Sequence, residues 1–260
     1  MTIIFDLDGT LLDTITDLAV ATNFALRNNK LNELDVDAYK LLVGNGVKVL
    51  AERATAKSWM LWTTEEREAY LALARSAADE DERYTEAMQV ITYTEEYKDL
   101  RTVEVPQQLV DSVYSDFMEY YAQHSTDETK PYDGIVELLD ELKTRGHQLA
   151  VLSTKADPLT QAVVNFYFKP GVFDAVTGMR DDVLPKPNPS GALKLSKLLG
   201  VDPVDVFYIG DTMTDMKTAV DAGMKPVGVT WGFRSEQELL DHGAKWIIDQ
   251  PRELIDVIGN

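Results

Sequence analysis

Two carboxylates one residue apart, Asp6 and Asp8, end the apolar run Thr2-Ile3-Ile4-Phe5 and are followed by Gly9 and Thr10. Alternate side chains of a strand share a face, so a strand ending here offers both acids to one pocket. Crowded carboxylates invite a cation or a shared proton. The plain alternative is a strand closing in an Asp-Gly turn, and the rest of the chain decides between them.

Further along stand Ser153, then Lys186 within Leu184-Pro185-Lys186-Pro187-Asn188-Pro189, then Gly210-Asp211-Thr212-Met213-Thr214-Asp215. Taken singly they read as a turn hydroxyl, an exposed lysine and helix-start acids stabilised by the helix dipole. Taken together they suit phosphoryl transfer. Asp6, Asp211 and Asp215 offer the hard oxygen ligands that Mg²⁺ favours. Lys186 supplies a point charge and Ser153 a hydrogen bond to the equatorial phosphate oxygens. Asp6 can then attack phosphorus, giving an aspartyl-phosphate, while Asp8 protonates the leaving oxygen and later deprotonates water.

The elements that must position these groups are short strands alternating with helices. From about Pro131 onward, Ile135, Leu138, Leu139 and Leu142 follow helical spacing and Gly146 sits where a C-cap glycine belongs. Strand-like runs cover Gln148 to Leu152, Phe173 to Val176, Val206 to Ile209, Pro226 to Val229 and Lys245 to Ile248. Helices are expected from Asp157-Pro158, read as N-cap and first-turn proline, and from Ser190 to Leu199. Two more are expected, one closing at Gly223 and one opening at the capping pair Ser235 and Glu238. The alternation implies an α/β fold, a Rossmann-like parallel sheet with helices on both faces. In such a sheet the carboxyl ends of the strands share one edge, which gathers the candidate groups into one crevice.

Residues 14 to 130 have a different texture, with few strand signals and several helical segments. Ile15, Leu18, Ala19, Thr22, Ala25 and Leu26 form one apolar stripe, Thr63 and Glu66 form a capping pair, and Pro106 can open a helix with Leu109, Val113, Phe117 and Tyr120 on one face. The acidic stretch Asp79 to Glu82 reads as a solvated loop or helix end. The expected organisation is an α/β core from residues 1–13 and 131–260 with an inserted, mostly α-helical cap over residues 14–130.

Composition narrows the partners. A net charge of -19 repels nucleic acid and anionic membranes, so an anionic substrate has to be met by local cations or a metal. Without cysteine there are no disulfides, thiolate nucleophiles or sulfur-ligated metals, and three scattered histidines do not make a metal site. No secretion signal and no run of about 20 apolar residues is visible, which points to the cytoplasm.

Asp6-Leu7-Asp8-Gly9-Thr10, Ser153, Lys186 and Gly210-Asp211-Thr212-Met213-Thr214-Asp215 resemble the four motifs of the haloacid dehalogenase superfamily of aspartate-nucleophile phosphatases. The resemblance implies that Asp6 is the nucleophile and Asp8 the acid/base. It also implies Mg²⁺ held by Asp6, Asp211, the Asp8 backbone carbonyl and, directly or through water, Asp215. Val43-Gly44-Asn45-Gly46 with Leu50 and Arg53, Pro131-Tyr132-Asp133-Gly134 and Val229-Thr230-Trp231-Gly232 resemble the phosphoglycolate phosphatases within it. Thr154 departs from the asparagine these phosphatases often carry, and residues 56–108 make the cap long. The candidate substrate contacts are Thr10, Gly44, Asn45, Gly46, Lys48, Arg53 and Thr154. The expected substrate is a small phosphorylated metabolite such as 2-phosphoglycolate. The competing readings are a phosphomutase of the same superfamily and a phospho-accepting signalling protein.

Overall fold

The structure is a computed structural model and describes residues 1–78, 87–96 and 99–259. The acidic stretch Asp79 to Glu82 lies outside the described residues. The chain opens with β1 (Thr2–Phe5), β2 (Leu12–Asp13), α1 (Ile15–Asn28), α2 (Val36–Leu42), α3 (Val47–Leu61) and α4 (Thr64–Ala78). Two antiparallel strands, β3 (Met88–Glu96) and β4 (Asp99–Pro106), precede α5 (Gln107–His124) and β5 (Lys130–Pro131). Then follow α6 (Ile135–Thr144), β6 (Gln148–Ala156), α7 (Asp157–Tyr167), β7 (Ala175–Met179), α8 (Ser190–Leu199), β8 (Val206–Gly210), α9 (Met213–Asp221), β9 (Lys225–Val229), α10 (Glu236–Asp241), β10 (Trp246–Ile248) and α11 (Leu254–Gly259). No helix among the described residues is long and apolar enough to cross a membrane.

Two compact units emerge. The first comprises Met1–Ile15, Gly44–Gly46 and Glu128–Asn260, the second Thr16–Val43 and Val47–Asp127. The first unit is built on a six-stranded sheet in the order β10-β9-β8-β1-β6-β7, with every paired neighbour parallel. β1 is apolar on both faces because both are covered. Ile3 and Phe5 pack with Leu138 and Leu142 of α6, Val163 of α7 and Leu254 of α11, while Ile4 faces Leu195 of α8 and Ala219 of α9. The strand runs read from sequence fall on these strands with shifts of a few residues. β7 begins at Ala175, because Phe173 instead packs edge-on against Phe168. Asp157 is the first helical residue of α7 and not its N-cap, and its carboxylate reaches the Gly178 amide at 2.7 Å.

The second unit is helical but contains the β3–β4 hairpin, which the sequence reading of that segment did not anticipate. The reason is legible afterwards: Ile91, Tyr93, Val103 and Val105 are buried while Val90 and Thr92 are exposed, the two-residue period of a half-buried strand. The stripe from Ile15 to Leu26 is buried, and Thr63 and Glu66 exchange both capping hydrogen bonds, at 2.7 and 3.2 Å. Pro106 caps α5, whose Leu109, Val113 and Phe117 are buried and whose half-buried Tyr120 stacks on Phe24.

Candidate active site

β1 and β8 are adjacent, so the turns leaving their carboxyl ends lie side by side. That pairing brings Asp6 to Asp211 and Asp215. Carboxylate oxygens of all three lie within 4.8 Å of one another, and all three residues are buried. Lys186 reaches them from the loop after β7, with its Nζ 2.6 Å from both Asp6 Oδ1 and Asp215 Oδ1. Asp8 does not join this cluster through its side chain, contrary to the pairing with Asp6 expected from their spacing. The chain has already turned at Leu7-Asp8-Gly9, where Leu11 N–H donates to Leu7 O, and the Asp8 carboxylate meets Lys155 Nζ at 2.7 Å.

Each acid is held by its surroundings. Asp211 Oδ1 accepts from the Thr10 hydroxyl at 2.9 Å and Oδ2 from the Phe233 amide at 2.9 Å, while Trp231 Nε1 donates to the Thr10 carbonyl at 3.0 Å. Thr212 is the N-cap of α9 and forms a capping box with Asp215, whose Oδ2 accepts from Thr212 Oγ1 at 2.6 Å. That box turns Asp215 Oδ1 towards Lys186. Gly9 sits at φ 91°, and a Cβ there would lie 2.3 Å from Asp211 Oδ2.

The electrostatics follow from three acids sharing one paired ammonium. Burial, reinforced by Asp215, pushes Asp211 up to about 7, and burial together with Asp215 raises Asp6 well above the usual carboxylate range. Burial alone would discharge Lys186, but Asp215 and Asp6 outweigh it and hold the ammonium charged. All three carboxylates ionised would leave two negative charges uncompensated by Lys186, the condition a divalent cation satisfies. The all-oxygen donor set fits a hard ion such as Mg²⁺.

The remaining sequence-derived candidates divide. Ser153 is buried and lies inside β6, which continues to Ala156 and does not stop at Leu152. Residues 44–46, read from sequence as part of the insertion, cluster with the first unit. Asn45 Nδ2 donates to Thr214 Oγ1 at 3.3 Å, and a Cβ on Gly46 would lie 3.2 Å from the Thr154 carbonyl. Lys48 is exposed in the first turn of α3, and Arg53 Nη1 donates to the Leu42 carbonyl at 3.0 Å, tying α3 to the end of α2. Sequence reasoning missed Lys155, the Phe233 amide and the largely buried Arg234, which pairs with Glu238 at 3.3 Å. Lys155 had a signal: it lies two residues beyond Ser153, hence on the same side of an extended strand.

Residues 1–223 match the family of haloacid dehalogenase-like hydrolases. The phosphoglycolate phosphatase of Aquifex aeolicus is 27% identical over 99% of this chain and 96% of its own length. That of Colwellia psychrerythraea is 29% identical over 97% of this chain and 94% of its own. A crystal structure from Lactobacillus delbrueckii subsp. bulgaricus, of a protein suggested to be a phosphoglycolate phosphatase, superposes with a TM-score of 0.78. It is 33% identical and covers 99% of this chain and 97% of that one. The chain belongs to the haloacid dehalogenase-like hydrolases and is a phosphatase of that family.

Proposed function

We propose that this phosphatase is a Mg²⁺-dependent phosphomonoester hydrolase of the cytoplasm, working through an aspartyl-phosphate on Asp6, with 2-phosphoglycolate as the first candidate substrate. The observation that carries the reading is the buried Asp6-Asp211-Asp215 cluster with Lys186 bridging two of its members. Mg²⁺ held there by Asp6, Asp211, Asp215 and the Asp8 carbonyl would offset the negative charge of nucleophile and phosphate. Asp6 attacks phosphorus, and Lys186 and the Ser153 hydroxyl steady the transferring oxygens. Asp8, close to Asp6 in the chain but outside the cluster, gives a proton to the leaving oxygen and takes one from water.

The substrate suggestion rests on the similarity to the phosphoglycolate phosphatases and on the Gly44-Asn45-Gly46 turn. Its two glycines stand at φ 106° and 88°, a backbone form in which successive amides can meet an anion, Asn45 Nδ2 donates to Thr214 Oγ1, and a Cβ on Gly46 would lie 3.2 Å from the Thr154 carbonyl. Lys48 and Arg53, which follow the turn in sequence, supply positive charge for a substrate carboxylate. Small phosphorylated metabolites, assayed with and without Mg²⁺, test the proposal. Turnover should require the metal, and Asp6→Asn should lose at least about 10³-fold in kcat, since an amide cannot replace the nucleophile. Full turnover after exhaustive chelation, or an active Asp6→Asn variant, overturns it.

A further inference from the structure

Lys155 is a buried cation to which the reaction above gives no task. Its side chain is 2% exposed, and its Nζ lies 2.7 Å from Asp8 Oδ1, whose own side chain is 20% exposed. A buried ammonium is costly unless it is paired, so the position of Lys155 and that of Asp8 depend on each other. The backbone carrying the lysine is tied down on both sides. Its N–H donates to Ser153 Oγ at 3.0 Å and its carbonyl accepts from Thr160 Oγ1 at 3.0 Å. The β6–β7 register is irregular between Leu152 and Ala156, so this stretch departs from the ladder. Across from it, a Cβ on Gly178 would lie 2.6 Å from the Lys155 carbonyl, so the two backbones are in close contact.

Asp8, by contrast, stands in the turn that follows β1, partly exposed. Without a partner its carboxylate has solvent-facing rotamers available. We propose that Lys155 is a positioning residue for Asp8: by holding Oδ1 it fixes the carboxyl plane and leaves Oδ2 as the atom that exchanges protons. This rests on the acid/base role given to Asp8 above. When an Asp6 oxygen bonds to phosphorus, the bond from phosphorus to the leaving oxygen breaks and that oxygen takes the proton from Asp8 Oδ2. In the second half, water oxygen bonds to phosphorus and passes a proton to Oδ2. The bond from phosphorus to Asp6 then breaks, its electron pair returning to the carboxylate. Geometry at Oδ2 matters in both halves, and a misplacement of about 1 Å is enough to slow them severely.

A double-mutant cycle on the Mg²⁺-loaded enzyme tests the inference, using Lys155→Met, Lys155→Arg, Asp8→Asn and the Lys155→Met/Asp8→Asn double variant. Substrates are an alkyl phosphate that the wild type hydrolyses and p-nitrophenyl phosphate, whose leaving group needs no proton. Lys155→Met should lower kcat on the alkyl phosphate about tenfold or more with little change in KM, as loss of a general acid does. With p-nitrophenyl phosphate it should keep the first burst of p-nitrophenolate and slow only the later turnovers. Lys155→Arg should restore much of the rate, and the double variant should be no slower than Asp8→Asn alone. Should Lys155→Met fail to fold, Lys155→Gln, which keeps a donor and loses the charge, takes its place in the cycle. A raised KM at unchanged kcat would show that Lys155 touches substrate instead, and losses that multiply in the double variant would show that it acts independently of Asp8. Either result overturns this inference alone, whereas an inactive wild type or an active Asp6→Asn variant removes the functional reading with it.

Discussion

Asp211 ties its own loop to two others through one side chain: Thr10 and the Phe233 amide each hold one of its oxygens, and Gly232, next to Phe233, lies against its Cβ. A Cβ on Gly232 would sit 2.3 Å from Asp211 Cβ and 2.5 Å from the Gly9 carbonyl. Neither neighbour can turn aside, since one is the root of a side chain and the other is backbone. Gly232→Ala should therefore displace Asp211, costing about 1–3 kcal/mol of stability, as overpacking does, and at least about tenfold in kcat/KM. Calorimetric titration should show weaker Mg²⁺ binding, and an unchanged affinity would separate Gly232 from the metal site. At this scale Asp6, Asp211, Asp215 and Lys186 were legible in the sequence only as a set, because each has an ordinary use alone while their order after successive strands directs them to one crevice. The sequence could not announce the Phe233 contact, since a backbone amide carries no residue-type signal.

Between elements, Asp174 shows how a side chain replaces a missing ladder bond. It precedes β7, and its Oδ2 accepts from the Leu149 amide of β6 at 2.8 Å and from Lys143 Nζ of α6 at 2.9 Å. Burial works to raise its pKa, but the Leu149 amide and Lys143 outweigh it and hold the carboxyl below its usual value. A depressed folded-state pKa gives stability that is present above the ordinary carboxylate pKa and lost as pH falls through the folded value. Asp174→Asn should melt below the wild type at pH 7, with the gap closing below about pH 4. A gap independent of pH would assign the effect to packing instead of charge. The same strand explains an element that sequence reasoning cut short. Ser153-Thr154-Lys155-Ala156 follows an apolar run with polar residues and reads as a loop, yet it stays extended as part of β6, and Lys155 was lost with it. The β3–β4 hairpin was missed for the opposite reason: its alternation lies between two helices with stronger signals, the Thr63–Glu66 capping pair of α4 and the apolar face of α5.

Across the whole molecule, a net charge of -19 makes the folded state repel itself, and the Asp6-Asp211-Asp215 cluster concentrates part of that repulsion where it cannot be screened by solvent. Salt and magnesium should both stabilise the protein, by different routes. Screening depends only on ionic strength, whereas specific binding adds about 2.7 kcal/mol at a hundred times the dissociation constant. Melting curves in MgCl₂ and in KCl of equal ionic strength separate the two, and the wild type should melt several degrees higher in the magnesium solution. Asp211→Asn removes one charge without breaking the local pairing: its Oδ1 can still accept from the Phe233 amide, and its Nδ2 can donate to the Thr10 hydroxyl, which is free to rotate. This variant should melt above the wild type in KCl at neutral pH, because it removes a carboxyl that burial and Asp215 hold up to about 7 and whose ionisation therefore costs stability, and should lose most of the extra shift in MgCl₂ together with catalysis. If it instead melts lower in KCl and keeps the magnesium shift, the cluster neither strains the fold nor holds the metal.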